Sequence, residues 1–466
     1  MKLRPYQVRS VMLIWRAFRA GKRRVLFTLP TGTGKTVVAV EMMRQWLDRG
    51  ARILFLSGRR EHINQCYATL LAYGIPKDDL SVILRKADPR ENPEARIQIA
   101  SKDTLARRSV KPKADVVIVD EAHHCAAKGY VALQAVYATA VWLGLTATPY
   151  RLDGKGMAAV FDELVVGAMP SELIALRFMA KPRVFTVPEK ERRRLAKSLR
   201  EVRSFKGDYV AAALGKILTK HRRLLVGDLL RYWQKYGRGK PTVVYAVNRH
   251  HARQIVKLFA DAGVAVELLT GTTPTDVRDA MIGGARGWKE SRLARGETKV
   301  VVNCAVLVEG WDCPPAKCIM IARPTKSLAF WIHACGRALR KTNVRPIILD
   351  HAGNALRAGI RCLPHEDLEL ALDVGAGKRT GRSAPAGPRA CPKCDAVVAR
   401  QAEQCPECGH VFAKEPEHVD GKLKEMTEED AAAARRKEER RLLRLAEAGS
   451  IPRQFVAPYL AARFAH

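Results

Sequence analysis

Two short segments of this chain carry residue types that could grip and cleave a nucleoside triphosphate. The first is Leu29-Pro30-Thr31-Gly32-Thr33-Gly34-Lys35-Thr36. Its glycines let the backbone curl until successive N–H groups face a phosphate chain, and a helix starting at its end adds partial positive charge. Lys35 can then reach the β- and γ-phosphates, and the Thr36 hydroxyl can ligate Mg2+. The general phosphate-loop pattern has a glycine where this chain has Leu29, so that match is incomplete. The second segment is Asp120-Glu121-Ala122-His123, which closes the run Val116-Val117-Ile118-Val119. Four apolar β-formers ending in two acids read as a buried strand with carboxylates at its C-terminal tip, the edge at which open α/β sheets gather ligands. Asp120 can hold the Mg2+ shell, and Glu121 can orient or deprotonate an attacking water.

A third constellation lies near the end. Cys391-Pro392-Lys393-Cys394 and Cys405-Pro406-Glu407-Cys408 are two C-x2-C pairs. Each supplies two thiolates from a tight turn, and two such turns make a closed tetrahedral Zn2+ site. Four protein ligands leave no open position, so this zinc is structural, and so short a segment needs the metal to fold. A redox role for a C-x-x-C lacks the surrounding fold and does not explain two copies. The module fits contact with nucleic acid, contact with a protein partner, or a cap on the tail, and its flanking Lys and Arg lean toward the first.

The elements that must position these groups follow from hydrophobic patterning. Over about the first 170 residues, apolar runs at Arg24 to Thr28, Arg52 to Leu56, Ile97 to Ala100, Val116 to Val119 and Trp142 to Thr146 read as parallel strands buried on both faces. Helical spacing fills the intervals, and Val37 to Leu47 is the helix that follows the phosphate loop. Thr242 to Val247, Val264 to Leu268, Lys299 to Asn303, Cys318 to Ile321 and Pro346 to Leu349 repeat the pattern. The expected architecture is α/β, with two tandem parallel-sheet domains, a small C-terminal zinc ribbon and a helical tail. Its boundaries are 1–170, a basic helical connector over 171–236, 237–372, a Gly/Ser/Pro-rich flexible linker over 373–390, the ribbon over 391–414, and the tail over 421–466. Thr427-Glu428-Glu429-Asp430 offers a capping box for that tail.

Composition narrows the partner. The 466 residues carry 81 Lys plus Arg against 47 Asp plus Glu, a formal charge of +34. Such an excess favours a polyanion, because neutralising phosphates releases condensed counterions; anionic lipid would respond to the same charge. The apolar runs fall far short of the ~18 residues needed to span a bilayer, and the N-terminus lacks a secretory pattern. The odd total of 11 cysteines argues against a disulfide framework. A cytoplasmic protein, bacterial or phage-encoded, is the expectation.

In this order, the motifs resemble those of superfamily-2 helicases with an Asp-Glu-Ala-His box, over roughly residues 3 to 350. Arg4-Pro5-Tyr6-Gln7 is similar to the adenine-side motif of the DNA-repair and restriction-translocase branches, which implies that Arg4 and Gln7 serve the nucleotide and that Gln7 reads its base. The Pro-Thr-Gly-Thr-Gly-Lys-Thr form of the phosphate loop is the family's own variant and accounts for Leu29. Ser57, Arg59, Arg60, Ser101 and Thr104 sit where family members touch the nucleic-acid backbone, and Thr146-Ala147-Thr148-Pro149 resembles the motif that, with His123, couples hydrolysis to movement. Farther on, Glu309-Gly310-Trp311-Asp312-Cys313-Pro314 is similar to the family's Glu-Gly-Phe-Asp-x-Pro, placing Gly310 and Asp312 near nucleotide. Arg323-Pro324-Thr325 matches the next signature, with Arg323 on nucleic acid. His333-Ala334-Cys335-Gly336-Arg337-Ala338-Leu339-Arg340 resembles Gln-x-x-Gly-Arg-x-x-Arg, which makes Arg337 and Arg340 the fingers that stabilise charge on the transferring phosphoryl group. His333 stands where Gln is usual.

The resemblance implies a two-lobed clamp that ATP and Mg2+ close and hydrolysis opens, advancing a nucleic-acid strand across both lobes. DNA is favoured over RNA by the adenine motif and the Glu-Gly-Trp-Asp-x-Pro form, and the chain is expected to act as a monomer. The alternatives are an RNA helicase and a non-enzymatic zinc-ribbon binder with an inactive motor. No carboxylate–lysine nuclease cluster accompanies the motor motifs.

Overall fold

A computed structural model describes residues 3–84, 88–150, 156–205, 207–222, 225–226, 228–283, 288–307, 316–341, 344–373 and 387–412, and a few positions beyond. The first parallel sheet is built from β1 (Arg24–Thr28), β2 (Ile53–Ser57), β3 (Leu80–Ile83), β4 (Ile97–Ser101), β5 (Val116–Asp120), β6 (Val141–Thr146) and β7 (Glu163–Val166), in the order β3-β4-β2-β5-β6-β1-β7. Every strand pair in it is parallel. Residues at β1, β2, β4 and β5 are almost wholly buried, because helices cover both faces. The five strands read from sequence are all present, within a residue or two at their ends. The short runs β3 and β7 had no patterning long enough to reveal them.

The second sheet contains β8 (Arg183–Thr186), β11 (Thr242–Tyr245), β12 (Val266–Leu269), β13 (Val300–Asn303), β14 (Cys318–Ile321) and β15 (Ile347–Asp350), in the order β12-β13-β11-β14-β15-β8. Its pairs are again parallel. Between β8 and β11 lies a two-stranded hairpin of β9 (Ser204–Phe205) and β10 (Asp208–Tyr209), followed by short helices. Two features therefore depart from the expected basic helical connector over 171–236. Arg183–Thr186 is the edge strand of the second sheet, and a hairpin interrupts the helices. A four-residue edge strand headed by Arg183 carries too little apolar patterning to be read as a strand.

Apolar packing joins the two lobes. One cluster of buried side chains runs from Val25, Phe27 and Leu29 through Met179 to Val243, Trp331 and Leu339. A separate cluster holds the connector, with Leu195, Leu199, Tyr209, Leu214 and Leu225 around Val187 and Val247.

The cysteine module is seated on the second lobe. Its strands β16 (Arg389–Ala390) and β17 (Val397–Val398) pair antiparallel, so residues expected at the end of the linker belong to the module. The Thr186 N–H donates to the Asp395 carbonyl at 2.9 Å, and Phe185 bridges Ala396. Glu407, half-buried with its side chain enclosed, takes Arg345 at 3.1 Å and also pairs with Arg183. Residues from Phe412 onward form a second unit, in which Arg436, Glu439, Arg440, Leu443 and Glu447 are helical; the expected capping box lies outside the described residues.

Candidate nucleotide site between the lobes

The phosphate loop joins β1 to the helix Lys35–Leu47. Gly32 and Gly34 have φ of +79° and +97°, the left-handed region that glycine enters without a Cβ clash. At Gly34 the space is also taken, since an added Cβ would stand 2.4 Å from Gln7 Nε2. Gln7 is buried, donates to the Thr33 carbonyl at 3.3 Å and accepts the Arg4 N–H at 2.9 Å. The Tyr6 hydroxyl donates to the same Thr33 carbonyl at 2.6 Å and accepts from Arg4 Nη1 at 3.1 Å. The Arg4 guanidinium lies 4.9 Å from the centre of the Phe178 ring, which meets Tyr6 edge-on. The N-terminal motif thus braces the phosphate loop by its backbone. Tyr6 and Phe178 complete that brace; an aromatic tyrosine beside Gln7 was visible in sequence, whereas Phe178 is distant and unmarked.

Lys35 donates to the Leu29 carbonyl at 3.1 Å, across the mouth of the loop. Burial lowers its pKa, with Glu121 and Asp120 opposing. Asp120 ends β5 as expected. Its Oδ2 stands 2.6 Å from His62 Nδ1, and its Oδ1 accepts the Glu121 N–H at 3.0 Å. Burial acts to raise Asp120, but His62 and Lys35 outweigh it and hold the carboxylate below its usual range. Asp120 is thus an ionised oxygen donor beside the loop's lysine, chemistry that fits a magnesium shell completed by Thr36. Glu121 adopts φ 50° and ψ 52°, a conformation ordinary residues rarely take and one that marks functional positions. Burial opposes its ionisation, while His333 and His123, with Lys35, more than offset that. His62 was missed from sequence: the signal was its place just after Arg59-Arg60, but no local pattern points a helix residue at a strand tip.

The residues expected to couple hydrolysis to movement form a chain of polar contacts that crosses the cleft. His123 Nδ1 lies 3.2 Å from Thr146 Oγ1, and that oxygen accepts the Thr148 N–H at 3.1 Å. Thr148 Oγ1 lies 3.3 Å from His333 Nε2, on the other lobe. His333 belongs to the helix Leu328–Gly336, whose start is capped by Ser327 accepting the Phe330 N–H at 3.1 Å. That helix delivers the rest of the second-lobe motif to the phosphate loop. A Cβ on Gly336 would sit 2.9 Å from Thr31 Cβ, and one on Gly32 would sit 2.7 Å from Arg340 Nε. Arg337 is buried, and burial pushes Arg340 down to about 10, still a cation at neutral pH.

The nucleic-acid candidates divide. Ser57 and Ser101 end adjacent strands in register, and Arg59, Arg60 and Thr104 follow within a few residues, so these five share one edge of the first sheet. Arg323 is drawn elsewhere: it pairs with Asp208 of the hairpin at 2.8 Å and lies over the Phe330 ring. Gly310 and Asp312 fall outside the described residues. At the C-terminal module, Cys391 Sγ is 3.6 Å from Cys408 Sγ and Cys394 Sγ is 3.7 Å from Cys405 Sγ. Tetrahedral Zn–S bonds of ~2.3 Å separate sulfurs by about 3.8 Å, so the four thiols fit the ion.

Two parallel-sheet lobes, one carrying a phosphate loop and paired acids and the other laying arginine on that loop, define a nucleoside-triphosphate motor core. Comparison with known proteins narrows the class. Residues 1–151 match the family model for the type III restriction enzyme res subunit, and residues 222–342 match the helicase conserved C-terminal domain. A 51.5 kDa protein of a Lactococcus phage is 26% identical over 84% of this chain and 78% of its own length. The putative ATP-dependent helicase IRC3 of Saccharomyces cerevisiae is 27% identical over 72% of this chain, which spans 49% of that relative. The DNA 3'-5' translocase XPB2 of Sulfurisphaera tokodaii is 24% identical over 75% of this chain and 81% of its own length. Among solved structures, a fragment of a putative HsdR subunit of a type I restriction enzyme from Vibrio vulnificus shares the fold, with a TM-score of 0.56 at 21% identity over 75% of this chain and 64% of that one. The chain belongs to the superfamily-2 helicases, on their restriction-translocase-like branch.

Proposed function

We propose that this chain hydrolyses ATP in the cleft between its lobes and uses each cycle to move along, or remodel, DNA. The observation that carries the reading is the seating of Gly336 and Arg340 from one lobe on Thr31 and Gly32 of the other. A phosphate chain held by the loop is thereby met by guanidinium from across the cleft. In this reading Lys35 holds the β- and γ-phosphates, while Thr36 and Asp120 hold Mg2+, which neutralises charge on the phosphates. Glu121 orients the attacking water and takes its proton. Arg337 and Arg340 stabilise charge on the transferring group. Gln7 and Arg4 face the base, and His123, Thr146 and Thr148 carry the change across the cleft. Ser57, Arg59, Arg60, Ser101 and Thr104 grip the DNA backbone, which the charge of +34 attracts. Cys391, Cys394, Cys405 and Cys408 hold Zn2+ as a structural ion, and the ribbon or the tail offers a place for a protein partner. The setting that suits the phage and restriction-enzyme relatives is a bacterial or phage-infected cytoplasm, with the chain acting as a monomer.

ATPase rates with single-stranded, duplex and forked DNA and with RNA, compared at one stated salt concentration, test this. DNA should stimulate turnover most. Stimulation by RNA alone would convert the reading to an RNA helicase, and no turnover with any polymer would leave only a nucleic-acid binder.

A further inference from the structure

Three side chains that lie beside the phosphate grip converge from both lobes. Glu121 and His123 come from the first lobe, and His333 comes from the second. Glu121 Oε2 is 3.4 Å from His123 Nδ1, and Glu121 Oε1 is 3.9 Å from His333 Nδ1. One donor atom from each residue can be chosen so that all three lie within 4.8 Å of one another. The two imidazoles meet edge to face, 5.6 Å between centres.

A four-coordinate ion with bonds of ~2.0–2.1 Å to nitrogen and oxygen separates its ligand atoms by about 3.3 Å. The Glu121–His123 distance already has that value, although His123 Nδ1 must give up its contact with Thr146 Oγ1 to take the ion. The Glu121–His333 distance exceeds it by an amount a small side-chain rotation closes. His333 also has the outer contact that metal-bound imidazoles use. With Nδ1 toward the carboxylate, its Nε2 lies 3.3 Å from Thr148 Oγ1, a partner that fixes ring orientation and tautomer. Two imidazoles and one carboxylate select borderline cations over Mg2+, which prefers oxygen donors in octahedral array.

We propose that Glu121, His123 and His333 form a site for a borderline divalent cation of the Zn2+, Co2+ or Ni2+ class, and that the bound ion staples the lobes together and arrests the ATP cycle. The ion engages the carboxylate assigned to water activation and ties it to a residue of the opposite lobe, so the cleft cannot cycle open. Glutamine, usual at the place of His333 in the family this chain resembles, supplies no imidazole nitrogen, so the sensitivity belongs to this chain's own histidine. The arrest rests on the proposed role of Glu121; the binding does not.

The test adds Co2+ to nucleotide-free protein whose cysteine module is already loaded with zinc. One further equivalent should bind, with a visible ligand-field spectrum and no thiolate-to-cobalt charge transfer. His333→Gln should weaken that binding by about 100-fold or more, and Thr148→Val, which removes only the outer hydroxyl, by roughly 10–100-fold. Binding of a fluorescent ATP analogue checks that each variant is folded, and Thr148→Val carries the test if His333→Gln does not fold. Dyes on the two lobes should report a narrowed separation on Co2+ addition, and ATP turnover should fall in parallel with occupancy. No additional equivalent, or cobalt affinity unchanged in both variants, overturns the site. Binding with undiminished turnover overturns the arrest. Cobalt binding in a protein that hydrolyses no ATP under any condition would instead sink the ATPase reading and leave the site standing.

Discussion

His62 Nδ1 stands 2.6 Å from Asp120 Oδ2, joining the start of one helix to the tip of the strand that bears the paired acids. The helix begins at Arg60, beside the edge assigned to DNA, while Asp120 faces the phosphate loop. Burial disfavours a charge on either partner, yet Asp120 keeps the imidazole above its ordinary pKa and the imidazole keeps the carboxylate below its own. The pair is therefore an ionic link between the edge proposed to bind the polymer and the candidate magnesium ligand.

Removing that link should disturb metal use before it disturbs folding. His62→Leu leaves Asp120 without its nearest cation, in a site that burial already penalises. Loss of such an outer partner lowers metal affinity by roughly 10–100-fold. The Mg2+ concentration that half-saturates nucleotide binding should rise accordingly, as read by a fluorescent ATP analogue. An unchanged Mg2+ dependence would show that His62 only fills space.

Lys35→Ala separates the phosphate site from polymer binding. The lysine lies between Leu29 and the two acids and touches none of the residues on the Ser57–Ser101 edge in the contacts described. ATP turnover should fall by at least ~10³-fold, the scale on which phosphoryl-transfer groups act. DNA affinity at matched salt should change by less than about threefold. Undiminished turnover would refute the phosphate-loop assignment.

Gly336→Ala tests the contact between lobes. Gly336 closes a helix, where alanine is intrinsically favoured by up to ~1 kcal/mol. Its added methyl, however, would stand 2.9 Å from Thr31 Cβ on the opposite lobe. Thermal stability should hold or rise slightly while kcat falls about tenfold, because the cleft no longer closes on the phosphate chain. A proportional loss of both would place the effect within one lobe.

The sequence exposed the parts of this site whose chemistry is local. A phosphate loop, a carboxylate pair after a β-branched run, and paired C-x2-C turns each declare themselves within a few residues, and long apolar strands declare the two sheets. What stayed hidden depends on distant contacts. His62 reaches Asp120 only because β2 and β5 are neighbours in the sheet. Arg323 is recruited by Asp208, 115 residues away, so a motif position expected on nucleic acid is drawn into an internal ion pair. Strand β8 escaped because four residues at a sheet edge carry little periodicity, and its sheet position is what seats the cysteine module through Asp395 and Glu407.

That seating would make the zinc proposed for the four cysteines a determinant of the second lobe's edge. Glu407 sits between Cys405 and Cys408 and pairs with Arg183 of β8 and with Arg345. Without the ion, the short module lacks a core to hold Glu407 in place, and two guanidinium groups lose their carboxylate. Cys394→Ser or strong chelation should therefore make the 183–187 segment accessible to protease and lower the apparent Tm by several degrees, the shift that ~1 kcal/mol or more produces in a domain of this size. Protease resistance unchanged by chelation would mean that the module rides on the lobe without bracing it.

His251 gives the second lobe a defined acid lability. The ring is buried, its Nδ1 accepts the Val247 N–H at 3.2 Å, and its Nε2 donates to the Leu225 carbonyl at 2.8 Å. Both nitrogens are thus used by the neutral form, and burial pushes the pKa down to about 4 from 6.5. The unfolded chain takes up a proton below about pH 6.5, while the folded chain resists until about pH 4, so stability is complete above the first value and falls between them as acid is added. The gap corresponds to about 3 kcal/mol. His351, depressed to about 3, acts in the same direction, whereas Asp350, raised to about 6 by burial, loses stability as pH rises. Comparison with His251→Gln cancels those other groups. The stability advantage of the wild type over the variant, from urea unfolding, should shrink by about 2–3 kcal/mol between about pH 7.5 and 4.5. A difference that stays constant across that range would mean the imidazole is not held neutral in the fold.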